Sequence, residues 1–383
     1  MALRILHTAD LHLGRLPRSV DLRGSNPPFD VFPTFSDICH LALQEKVDLF
    51  IIAGDLFDCA NPQTHLVGQV AAELRRLGSA GITVVISPGT HDTLSFSHSI
   101  FHSDPFPQAI IFKESVVTEP VFLTVREMGI YLYGIAVDPT RALPWKESFK
   151  RRKQEGFHIG VLHCTVEGDN VRPIEERYLP VKKEELLSFG LNYLALGHHH
   201  SFQTFLNPEG RVFACYPGSP EATSFRSSEL GDRFVALVEI KEDDLSVRGH
   251  KINRFLWQEK ELDISGLEKE EELAQKIGQW KGENVLLKLR LIGAPDGLLD
   301  LEKVHGLAQA EFYYLGLEDH LQIFDSSFVE RVRGEKTIRG LFVRKVLEEL
   351  QKVQGRDREV LQKALTIGLQ EFDRAKTTYR RDL

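Results

Sequence analysis

Two kinds of apolar pattern alternate along the first half of this chain. Val47–Gly54 and Gly81–Ile86 are short, nearly continuous apolar runs rich in β-branched residues. Such runs suit strands buried on both faces of a sheet. Between them the spacing turns helical: Phe35, Ile38, Leu41 and Ala42 share one face, as do Leu66, Val70, Leu74 and Leu77. Alternating strands and helices predict an α/β fold with a mostly parallel, layered sheet. This first part closes with two β-type runs, Arg233–Ile240 and Leu245–Ile252, joined by the polar turn Glu242-Asp243-Asp244.

The pattern then changes twice. Residues 253–325 read as a smaller α/β unit, with a helix through Leu267–Trp280, an alternating strand at Val285–Leu291, a helix near Leu298–Gln309 and a short strand at Phe312–Leu315. Residues 326–383 read as helical. Phe342, Val346, Leu350 and Val353 form one apolar stripe, and Leu361, Leu365, Leu369 and Phe372 form another, with Gly355 between them. With 383 residues the chain is too long for one ordinary core, and the expected division is 1–252, 253–325 and 326–383.

Composition narrows the class. Hydrophobic residues at 42% and charged residues at 27% describe a globular protein. No apolar stretch is long enough to span a membrane, nothing at the start reads as a signal peptide, and the expected location is cytoplasmic. Cys39, Cys59, Cys164 and Cys215 lack Cys-x-x-Cys spacing and read as reduced thiols. The net charge of −8 argues weakly against a nucleic-acid binder, yet residues 329–383 carry 14 Lys/Arg against 9 Asp/Glu. Lys150–Lys153 is one local basic cluster, and Arg15, Arg18 and Arg23 form a looser one; either suits a solvated surface as well as a polyanion.

Five apolar strands end abruptly in Asp or His: Leu3–Asp10 with His12, Asp48–Asp55, Ile82–His91, His158–His163, and Tyr193–Gly197 followed by His198, His199 and His200. Strand ends are where an α/β sheet places its chemistry, and Asp with His binds divalent cations. A lone His after a strand is usually structural. Five such ends in one chain describe a metal site.

The elements are Asp10-Leu-His12, Gly54-Asp55, Gly89-Thr-His-Asp92, His163 and Gly197-His-His-His200. In this order they resemble the calcineurin-like metallophosphoesterases over about residues 1–240. His7–His12, Gly54–Asp58 and Tyr216–Glu221 are similar in wording to the DNA double-strand-break repair nucleases, the branch with SbcD-type and YhaO-type exonucleases. The resemblance implies a metallophosphoesterase-type β-sandwich flanked by helices, with a small α/β cap domain and a C-terminal helical tail. It implies two divalent cations, and the mixed imidazole and carboxylate donors suit Mn²⁺ best. Asp10, His12 and His200 would hold the first, His163 and His198 the second, and Asp55 would bridge them. His91 would contact the scissile phosphate and Asp58 would orient it; His199 is read as structural. The family has Asn where this chain has Thr90. A hydroxyl is a poorer, shorter-reaching ligand, so the second site is expected to bind weakly, with Thr90 or a water supplying the oxygen.

The leading reading is a metal-dependent DNA exonuclease, with single-strand endonuclease activity as an addition, in DNA repair. It would work with an SMC-like ABC ATPase gripped by the C-terminal helices; a homodimer stays open. The alternatives are a catalytically weakened DNA-binding subunit and a small-molecule phosphodiesterase. The latter has no need of the added cap and helical arm.

Overall fold

The structure is a computed structural model that describes residues 2–17, 20, 22, 28–140, 144–153, 155–167, 178–241, 244–293, 295, 299–321 and 326–379. Arg18 and Arg23 of the looser basic cluster, and Glu242 and Asp243 of the expected turn, lie outside the described residues. The chain forms two compact units, Met1–Trp257 and Gln258–Leu383.

The first unit is a sandwich of two six-stranded sheets. In spatial order the first runs Asp244–Lys251, Phe234–Lys241, Ala2–Thr8, Leu49–Ala53, Thr83–Ser87 and Ala109–Ile111. The second runs Gln203–Leu206, Val212–Tyr216, Tyr193–Gly197, Phe157–His163, Met128–Gly134 and Val121–Val125. Each sheet is parallel at its centre and gains antiparallel strands at its margins.

This architecture accounts for the continuous apolar runs. Leu3, Ile5, Leu49, Ile51 and Val85 of the first sheet pack on Ile130, Leu132, Ile159, Val161 and Tyr193 of the second. The outer faces are covered in turn. Leu162, Leu194 and Leu196 point the other way and meet Trp145, Phe149, Leu186 and Phe189. The helices Phe32–Gln44 and Thr64–Ser79 bury the predicted stripes: Phe35, Ile38, Leu41 and Ala42 in one, Leu66, Val70, Leu74 and Leu77 in the other.

The cluster Lys150–Lys153 is largely occupied within the protein. Arg152 donates to the carbonyls of Thr118, Val117 and Ser148, Arg151 to that of Lys153, and Lys150 pairs with Glu147. These side chains pin a surface loop through the protein's own carbonyls and Glu147.

In the second unit, Leu256–Asp263, Gly282–Ile292 and Phe312–Asp319 form one sheet, with helices at Glu270–Ile277 and Leu301–Ala308. The strand Leu256–Asp263 has no counterpart in the sequence reading, because Gln258-Glu-Lys-Glu261 breaks its apolar pattern. Three helices follow, Ser326–Arg333, Ile338–Leu350 and Arg356–Tyr379. Their apolar stripes are spent on one another: Val332, Val343, Val346, Leu350, Leu365 and Leu369 form one buried cluster, with Phe342 and Leu361 packed against it. The two apolar stripes of the tail are thus mainly the tail's own core. No helix among the described residues is long and apolar enough to cross a membrane.

Candidate metal centre

Every candidate ligand stands at or just past the carboxyl end of a parallel strand. Ala2–Thr8 delivers Asp10 and His12, Leu49–Ala53 delivers Asp55 and Asp58, and Thr83–Ser87 delivers Thr90 and His91. From the facing sheet, Phe157–His163 ends on His163, and Tyr193–Gly197 leads into His198 and His200. The site therefore straddles both sheets at one edge of the sandwich.

The first two loops are stitched together by backbone. Asp10 N–H donates to Gly54 O at 3.1 Å, His12 N–H to Asp55 O at 2.9 Å, and Asp58 N–H to Leu13 O at 3.2 Å. Asp10, His12, Asp55 and His198 all take positive φ, at 52°, 45°, 50° and 100°. Non-glycine residues rarely adopt that region, and each instance costs on the order of 1 kcal/mol. Two glycines are required by close approach. A Cβ on Gly54, itself at φ 93°, would strike the His163 ring, and one on Gly89 would strike the Asp55 carboxylate.

The side chains converge on three groupings with metal-ligand spacing: Asp10–His12–His200, Asp10–Asp55–His163 and His12–Asp58–His91. Asp55 lies at the crossing. One of its carboxylate oxygens is 3.3 Å from His163 Nε2 and 3.8 Å from His12 Nε2. The other accepts the His91 N–H at 2.8 Å. Asp58 reaches two imidazoles, His12 Nδ1 at 3.2 Å and His91 Nδ1 at 3.5 Å. His198 is in none of the three groupings; its ring centroid lies 5.1 Å from that of His163, and its N–H donates to Asp10 at 3.0 Å. Thr90 sits beside Asp55, its hydroxyl donating to Asp55 Oδ2 at 3.4 Å. His199 also joins no grouping and packs toward Tyr216 instead.

The electrostatics are those of a site built for positive charge. Burial works to raise the Asp55 carboxyl, but the imidazoles of His163, His12 and His91 outweigh it and hold the group well below the usual carboxylate range. Burial works to lower His163, and the Asp55 carboxylate instead raises it to about 9. His198 falls to about 4 through burial and repulsion from His163. Among the described residues, the buried Nε2 atoms of His12 and His163 have no hydrogen-bond partner. An orphaned buried polar atom costs about 1–3 kcal/mol. Cations held by the Asp10–His12–His200 and Asp10–Asp55–His163 groupings would satisfy both nitrogens, so the residues present fit divalent metal.

Two carboxylates that the sequence reading left without a role support the centre. Glu229 accepts from His200 Nδ1 at 3.2 Å and from the Thr223 N–H at 2.8 Å. Burial opposes its ionisation, yet the His200 contact and the Thr223 N–H bring it down to about 2. It holds by Nδ1 a ring that groups with Asp10 and His12. Asp92 accepts from Gly89 N–H at 2.7 Å and Phe57 N–H at 3.2 Å, locking the Thr90–His91 loop against the Asp55–Asp58 loop. Asp92 was legible as part of the Gly89–Asp92 element. Glu229 carried no local signal, since nothing in Ser227-Ser-Glu229 marks a partner for a histidine 29 residues earlier.

Comparison with known proteins bears on this site. The calcineurin-like phosphoesterase family matches residues 3–202. The chain is 29% identical over 321 residues to YhaO of Bacillus subtilis (strain 168), an uncharacterized metallophosphoesterase, covering 79% of this chain and 74% of that protein. It is 32% identical over 225 residues to the DNA double-strand break repair protein Mre11 of Sulfurisphaera tokodaii, covering 57% of this chain and 54% of that one. To the SbcD component of the nuclease SbcCD of Bacillus subtilis (strain 168) it is 26% identical over 377 residues, covering 87% of this chain and 89% of that one.

Proposed function

The chain belongs to the calcineurin-like phosphoesterase family, and from that premise we propose that it is a metal-dependent DNA nuclease. The observation that carries this reading is the convergence of Asp10, His12, Asp55, His163 and His200 at one sandwich edge, in a chain whose relatives include a nuclease component and a DNA-break repair protein. In this reading Asp10, His12 and His200 would hold one cation and His163 and His198 the other, with Asp55 a ligand to both. Thr90 would be the neutral ligand of the second. Two divalent cations, when bound, neutralise phosphodiester charge and acidify a water for in-line attack. The mixed imidazole and carboxylate set favours Mn²⁺ over Mg²⁺.

The protein's own groups do the rest. His91 donates from Nδ1–H to the Asp58 carbonyl at 3.2 Å; as an imidazolium it has a second N–H, on Nε2, that can donate to the scissile phosphate and pass its proton to the leaving oxygen. Asp58 orients His91 and His12 together, and Glu229 orients His200. The three-part division at 252 and 325, a cytoplasmic setting and an SMC-like ABC ATPase partner belong to the same proposal.

Purified protein incubated with labelled single- and double-stranded DNA should cut in Mn²⁺ and stop on chelation. No cleavage of either substrate under any divalent metal would end the nuclease reading. The weakened, mainly DNA-binding alternative is favoured by one feature, Thr90. Calorimetry should resolve two unequal metal sites, and Thr90→Asn should tighten the weaker one several-fold, because an amide oxygen reaches farther than a hydroxyl already directed at Asp55. Two equally tight sites in the unaltered protein would show that the hydroxyl suffices.

A further inference from the structure

Two large apolar side chains stand in solvent on the loops that carry the cluster: Leu16, 67% exposed, four residues past His12, and Phe96, 47% exposed, five past His91. Single exposed apolar side chains are ordinary. Phe96 differs in how firmly its loop is held. The Thr93 hydroxyl donates to Val137 O at 2.7 Å, and the Ser95 hydroxyl to an Asp138 carboxylate oxygen at 2.7 Å. The Phe96 carbonyl itself accepts from Ser99 N–H at 2.9 Å and lies 3.2 Å from His102 Nε2, which also reaches Leu94 O at 3.0 Å. Ile100 N–H donates to Ala60 O at 2.8 Å, two residues past Asp58. The loop thus bridges the segments that follow His91 and Asp58, with Phe96 at its exposed turn.

On that turn the Phe96 ring stacks against the exposed His98 ring, with centroids 5.5 Å apart and planes 15° from parallel. Five residues of chain span at most about 18 Å, so Phe96, with the His98 ring 5.5 Å from its own, lies within a few nucleotides of any phosphate held by His91. Aromatic faces beside a backbone-gripping site bind unpaired bases, whatever their sequence, because every base has a π-face. A paired base is already stacked on its neighbours and has no such face free.

We propose that Phe96 and His98 form a stacking platform for one nucleobase of a single-stranded DNA segment whose backbone passes through the metal centre. This rests on the DNA-nuclease reading and adds to it the state of the substrate, unpaired next to the scissile phosphate.

The test is a set of single-stranded oligonucleotides, each with one abasic site at a successive position, titrated against the full-length protein in Ca²⁺ by fluorescence anisotropy. At one position, removing the base should weaken binding by the unaltered protein about 10-fold, the scale of a base–aromatic stack. In Phe96→Ala the same abasic site should cost nothing further, and in Phe96→Tyr the penalty should return. Thermal unfolding of each variant separates misfolding from lost stacking. An equal abasic penalty in the unaltered protein and Phe96→Ala, or no position-specific penalty at all, would overturn the platform while leaving the nuclease reading standing. An unaltered protein that binds and cuts no DNA would overturn both.

Discussion

Asp55→Asn should bind neither cation at concentrations that saturate the unaltered protein, and its DNA cleavage should fall to background. The substitution keeps the shape of the site. An asparagine oxygen can still accept the His91 N–H that Asp55 accepts at 2.8 Å, so the loop of Thr90 and His91 should stay in place. What disappears is the charge lying between His163 Nε2 and His12 Nε2. Losing an outer partner of a metal ligand costs roughly 10–100-fold in affinity, and losing a shared carboxylate should cost more. His91→Asn should behave differently. His91 is the most exposed of the clustered imidazoles, with 45% of its side chain accessible, and its ring is held by Asp58. Its loss should lower cleavage by about 10²–10⁴-fold, the range for a general acid–base group, with both cations still bound. Calorimetry beside a cleavage assay distinguishes the two variants. A His91→Asn protein that also lost its metals would contradict this division of labour.

Truncation after Phe328 should leave metal binding and basal cleavage of short DNA intact, and should abolish co-purification with an ATPase partner and any ATP-stimulated activity. The buried apolar side chains of the three tail helices cluster among themselves, and a cut after Phe328, inside the first of them, removes that whole cluster together. Among the described residues, the exposed apolar side chains of the tail are Ile338 at 76%, Leu341 at 51%, Val360 at 57% and Ile367 at 57%. Exposed apolar side chains on a basic helical segment suit docking on a partner's helices. Leu341→Glu with Ile367→Glu should therefore break the association without disturbing the tail's own fold. A truncated protein that unfolded or precipitated, or a double variant that still bound the ATPase, would remove the basis for this surface.

Much of the centre was legible because its residues follow strands. A strand buried on both faces announces itself as an apolar run, and a polar residue that ends such a run stands at the sheet edge. Asp10, Asp55, His163 and the Gly197–His200 element could be located that way from a few residues of local pattern. The helices Phe32–Gln44 and Thr64–Ser79 were legible for a similar reason, since a stripe at helical spacing states which face is buried. The strand Leu256–Asp263 was not, because charged residues on an open face erase the alternation.

Local pattern reports that a face is buried and says nothing of what buries it. The tail stripes illustrate this: the same residues suit a partner's groove or a neighbouring helix, and only the packed helices show that they meet one another. The same limit applies to the contacts that tune the centre. The His198 N–H meets Asp10 from 188 residues away, and Glu229 meets His200 from 29. Asp58 reaches His12 as well as His91, and Phe96 stays exposed on a loop pinned from several sides. The sequence by itself determined the central strands that carry the site, the two helices packed beside them and the donor atoms at the strand ends, because those follow from short-range periodicity. Tertiary structure decided which donors converge, which carboxylate steadies which imidazole and which apolar faces remain open, because those depend on how two sheets and their loops close around a shared edge.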